Sequence, residues 1–103
     1  MTFEGRLPGE DLITEGLRDL RAHRHTRNAL LVAIGAPRLR GLGVTLPLAH
    51  ELPAHPEHQL YDLLTAQNPS DAHSSYNALI RRLVSFEHAL ERVVARNDAW
   101  VAD

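Results

Sequence analysis

Near the C-terminal end of the chain, Tyr76, Leu79, Leu83, Phe86, Leu90, Val93 and Asn97 follow one another at alternating intervals of three and four residues. That repeat belongs to an α-helix with one face turned toward apolar neighbours, and Ile80 and Val94 widen the face. A helix of about 28 residues would measure about 42 Å at 1.5 Å per residue. The remaining elements of so short a chain are too small to cover that length, so part of the face is predicted to meet a partner. The residues assigned to the contact are Tyr76, Ile80, Val84 and Val94, and the expected partner is a second copy of the chain in a homo-oligomer.

A first helix is expected from Leu7-Pro8-Gly9-Glu10-Asp11, where proline suits the first turn and two acids meet the positive end of the helix dipole. Ile13, Leu17 and Leu20 then fall at helical spacing. Beyond them Arg24 and Arg27 occupy positions that would continue the stripe, before Leu31 and Ile34 resume it. Two readings compete: a break near His25-Thr26 with Thr26 as a cap, or one continuous, slightly kinked helix with a polar waist. The continuous helix is the reading adopted, ending at Gly35-Ala36-Pro37.

From Pro37 to Pro56 the breakers Gly41, Gly43, Pro47 and Pro53 leave room only for short structure: one turn after Pro37 and an extended Val44-Thr45-Leu46. Leu39, Leu42, Val44, Leu46, Leu48 and Leu52 make the segment too apolar for a free linker, so it is predicted to cross over the helices and pack on them. A short helix follows from Pro56 to Gln67 with Leu60, Leu63 and Leu64 inward. Asn68-Pro69-Ser70-Asp71 is a stop and restart signal before the last helix. The predicted fold is all-α, a small bundle-like domain of three to four helices with an irregular apolar crossover, formed by residues 1–103 as a single helical domain.

Composition removes several chemistries. The chain has no cysteine and all 11 of its Lys and Arg residues are arginine, which rules out disulfides, thiolate chemistry and catalytic or phosphate-loop lysines. Its longest apolar run, Ala29 to Ile34, is far short of the roughly 20 residues that cross a bilayer, and the opening MTFEGRLPGED has no apolar block. A cytoplasmic protein is expected, with no membrane partner.

Seven histidines are unusual for 103 residues. On a helix starting at Pro56, His58 and Asp62 share a face, and His55 could add a third ligand to a divalent metal ion. The competing reading has these histidines solvating a proline-rich turn. Ser70, Asp71, His73, Ser74 and Ser75 bring hydrolase residue types into one stretch, but without a strained nucleophile turn they read as helix caps, and no catalytic or cofactor-binding residue is assigned. Arg18, Arg21, Arg24 and Arg27 step by three residues and would form a basic ridge able to meet phosphates. Against that stand a formal charge of −2 and few aromatic residues for stacking.

The function expected from these features is a non-enzymatic protein-interaction or regulatory module that self-associates through its long C-terminal helix. The alternative is a metal-binding protein or hydrolase-type enzyme using His55, His58 and Asp62. Nucleic-acid binding through the ridge from Arg18 to Arg27 comes third.

Overall fold

The computed structural model describes residues 7–102, with side chains as far as residue 96. Four α-helices lie within them: α1 (Glu10–Arg21), α2 (Arg27–Gly41), α3 (Pro56–Gln67) and α4 (Ala72–Ala102). One 3-10 turn, Ala49–Glu51, sits in the crossover between α2 and α3, and no strand occurs among the described residues.

The expected continuous helix is two helices. Its polar waist is a reversal, and Asp19 ties the reversal together: its carboxylate accepts from the Thr26 hydroxyl at 2.6 Å and from the Arg24 guanidinium at 2.9 Å. Thr26 in turn caps α2, its side-chain oxygen accepting from the Ala29 amide at 3.2 Å. α1 ends in a Schellman arrangement, with the His23 amide on the Leu20 carbonyl and the Arg24 amide on the Asp19 carbonyl. His23 takes the left-handed position, φ 58°, that glycine usually fills. Turning back lets α2 pack on α1 at Gly16, where the helices approach so closely that a Cβ would lie 2.5 Å from Val32 Cγ2.

The predicted stop at Gly35-Ala36-Pro37 is also corrected, because α2 runs through Pro37 to Gly41. Proline deprives the Ala33 carbonyl of its donor, a loss of about 3 kcal/mol in a helix interior. Two facts offset it. The ring faces solvent, and continuing the helix buries Leu39 and Ala36 to 0% and 1% exposure. The helix then closes on a second Schellman arrangement, with Gly43 at φ 96° and the Val44 amide on the Leu39 carbonyl at 3.0 Å.

α2 is the centre of the molecule. It packs against α1, α3 and α4, and the run Ala29-Leu30-Leu31-Val32 is buried with no polar side. A helix enclosed in this way has no need of a polar face. The crossover packs on this core through Val44, Leu42, Leu46 and Leu52, while Leu48 stays exposed. α3 occupies the predicted span and buries Leu60 and Leu64, with Leu63 partly covered. α4 contributes Leu79, Leu83, Phe86 and Leu90 to the same core, as their spacing predicts, and Tyr76 packs against it; of the other two seam positions Val93 is half-buried outside the cluster and the side chain of Asn97 lies outside the described residues. The 31 residues of α4 extend for about 46 Å. No helix among the described residues is long and apolar enough to cross a membrane.

Candidate interaction surface

The predicted metal ligands lie in and just before the first turns of α3. His55 is its N-cap in a left-handed conformation, φ 48° and ψ 56°, and its ring meets His58 edge-on with centroids 6.2 Å apart. His58 and Asp62 line a shallow hollow with Glu57, Tyr61 and Tyr76. Among the described residues no three His, Asp or Glu side chains stand where they could hold a metal ion. The stretch at Ser70 is local capping: the Ser70 hydroxyl donates to Asn68, the Asn68 amide donates to Asp71, and His73 pairs with Asn77 one turn on.

The basic ridge predicted at Arg18, Arg21, Arg24 and Arg27 required one continuous helix, and the reversal disperses it. Arg18 and Arg21 end α1, and Arg21 reaches the Thr45 carbonyl at 3.3 Å. Arg24 is held on Asp19 within the turn, and Arg27 opens α2. The Thr26 hydroxyl and then the Arg24 guanidinium hold the Asp19 carboxyl below its ordinary range. This arginine therefore serves the turn.

Of the four predicted contact residues, Tyr76 and Ile80 form a strip along one flank of α4 with Val84, which is 39% exposed. Tyr61 of α3, also 39% exposed, extends the strip with its ring tilted against that of Tyr76 at 5.7 Å. Burial, aided by the negative charge of Glu57, pushes the Tyr76 phenol above its ordinary range. Val94 packs on the core farther along α4. Between it and Val84 stand Glu87 and Glu91, both engaged by Arg38 of α2, at 3.8 Å and 2.7 Å.

Glu87 is the residue that sequence reasoning missed. It lies on the buried side of α4, 7% exposed, beside Gly35 of α2, where a Cβ would come within 3.0 Å of its Oε2. Its one sequence signal is its place four residues after Leu83, inside the apolar face. Burial raises the Glu87 carboxyl above its ordinary 4.5, and the charges of Arg38 and His88 only partly offset this. A carboxyl raised in the folded state binds more protons there than in the unfolded chain. The stability this contributes is complete below the unfolded value and is lost as pH rises through the folded one. Glu87→Gln, which never ionises, is therefore expected to raise the urea midpoint relative to wild type at pH 7.5 and to bring no advantage at pH 4. A variant that is less stable than wild type at pH 7.5 would show that the Arg38 contact outweighs the burial.

The fold and this surface define a small all-α domain of four packed helices. No protein-family model, curated protein or solved structure matches the chain.

Proposed function

We propose that this protein is a non-enzymatic interaction module of the cytoplasm that forms a homodimer through α4. The observation that carries the reading is the strip Tyr61 of α3 with Tyr76, Ile80 and Val84 of α4, in which Tyr61 and Val84 are exposed and Tyr76 and Ile80 are partly buried against the core. A two-fold contact brings the same patch from both subunits together, so a strip centred on one helix flank can cover itself when two copies of α4 cross. Desolvating Tyr61 and Val84 in this way supplies the aromatic and aliphatic contact that interface centres use.

Two substitutions one position apart test the reading. Val84 is 39% exposed and Leu83 is 3% exposed, and they are separated by about 100° around the helix. Val84→Arg is expected to turn a dimer into a monomer with unchanged helicity, whereas Leu83→Arg buries an unpaired charge and unfolds the domain. Sedimentation and circular dichroism read both effects. Wild-type protein that sediments as a monomer at tens of micromolar defeats the proposal, as does a Val84→Arg variant that remains dimeric.

A further inference from the structure

On α3, Glu57 and Tyr61 stand one turn apart, and so do His58 and Asp62, which sets two acids and a ring in adjacent columns of the helix surface. Tyr76 of α4 comes up beside them, and these five side chains line a hollow of about 310 Å³ that opens to solvent. That volume is at the lower end of the range of small-ligand sites, about 300–1,000 Å³. Most of the lining is apolar. Both carboxylates are exposed, and neither makes an ion pair with another described residue.

The rings of Tyr61 and Tyr76 are tilted by 60° with their centroids 5.7 Å apart. An aromatic ring attracts a cation that lies within about 6 Å of its centroid, so a single cation in the hollow can reach both rings. Glu57 adds its negative field, which is one cause of the raised Tyr76 phenol. The kind of cation follows from the lining. Among the described residues no three His, Asp or Glu side chains stand where they could share a metal ion. A primary ammonium or a guanidinium has several N–H groups to satisfy, and setting them against ring and stem carbons costs desolvation. A quaternary ammonium has no N–H and carries its charge on a shell of methyl groups, which pack on apolar surface while rings and carboxylates meet the charge.

We infer that the hollow between α3 and α4 is a binding site for a quaternary ammonium group, with Tyr61 and Tyr76 holding the cation and Glu57 and Asp62 attracting it. All five lining residues belong to one subunit, so the site does not rest on the assembly reading. Tyr61 also lies in the strip that a second copy is proposed to cover, so the test is made both on wild type and on Val84→Arg. Residue 84 is about 12 Å along α4 from Tyr76, more than the about 8 Å over which charges act at physiological salt.

The test follows the ring protons of Tyr61 and Tyr76 by NMR during titration with choline and with its neutral carbon analogue, in which a tert-butyl group replaces the trimethylammonium. Choline is expected to shift both rings and to saturate with a Kd on the order of 1 mM, and the analogue to bind at least about tenfold more weakly. Tyr61→Leu is expected to weaken choline binding about fivefold and Tyr61→Phe to leave it unchanged, since a phenyl face also holds a cation. The double variant Glu57→Gln, Asp62→Asn is expected to weaken it and to remove its dependence on salt. A trimethyllysine peptide titrated in parallel separates the two sources of the group: tighter binding than choline assigns a modified protein, and weaker binding assigns a free small molecule. No saturating shift up to about 50 mM choline in either protein overturns the inference. So does equal binding of the neutral analogue, or a Tyr61→Leu variant that binds choline as wild type does.

Discussion

Gly16→Ala is expected to weaken the fold severely, and Gly16→Val to abolish cooperative unfolding altogether. A Cβ at Gly16 would stand 2.5 Å from Val32 Cγ2, 2.8 Å from the Asn28 carbonyl carbon and nearer still to the Asn28 carbonyl oxygen. The obstacle is the backbone of α2, which no rotamer change can move. Overpacking typically costs about 1–3 kcal/mol, and more where the backbone must shift. Here α1 has to lift away from α2, which exposes part of the surface buried by Ile13, Leu17 and Leu20. Against a total stability of about 5–15 kcal/mol, that loss is large. Gly41→Ala is the contrasting control: a Cβ there meets nothing within 4 Å, so replacing glycine in a helix is expected to add about 0.5–1 kcal/mol. Urea denaturation followed by circular dichroism measures both, and a wild-type midpoint for Gly16→Ala would disprove the close approach of α1 and α2.

Phe86→Ala carries the next largest effect. Phe86 is 0% exposed, the largest fully buried side chain of the core, and is joined there by Leu83 and Leu90. Truncating such a ring costs about 3–5 kcal/mol through lost burial and the cavity left behind. At about 4–8 °C per kcal/mol for a domain of this size, Tm should fall on the order of 20 °C. Arg81→Ala, at an exposed position of the same helix, is expected to leave Tm unchanged within about 4 °C, because surface changes stay within about 0.5 kcal/mol. A Phe86→Ala variant that melts with wild type would mean the core closes without the ring.

These outcomes rest on contacts whose visibility in the sequence differed widely. α3 matched its predicted span because its signals are local: proline in the first turn, leucines at 60, 63 and 64, and Asn68 after the last residue. The seam of α4 was readable for the same reason. The end of α1 was hidden because His23 takes the left-handed position without being glycine, and the bond between Asp19 and Thr26 that tightens the turn looks in sequence like ordinary helix polarity. Pro37 misled in the opposite direction, since the burial of Leu39 overrides a local breaker. The arginines were all in view, but three-residue steps from Arg18 to Arg27 form a ridge only on a continuous helix. The neighbours Gly35 and Glu87 stand 52 residues apart, beyond the reach of any local pattern.

The turn at Gly9 rests on α4, where a Cβ would lie 2.9 Å from the Arg82 carbonyl oxygen, and Asp11 meets the Arg82 side chain at 3.4 Å. Synthesis runs in one direction, so the surface that receives this turn is made after α1, α2 and α3. A nascent chain halted before residue 79 holds the α1 and α2 hairpin with Leu83, Phe86 and Leu90 still missing from its core. The apolar girth of α2 then has no lid from α4, and the half-made domain is the species most exposed to aggregation and most in need of a chaperone on the ribosome. Release of the last helix ends that exposure and fastens the beginning of the domain in the same event.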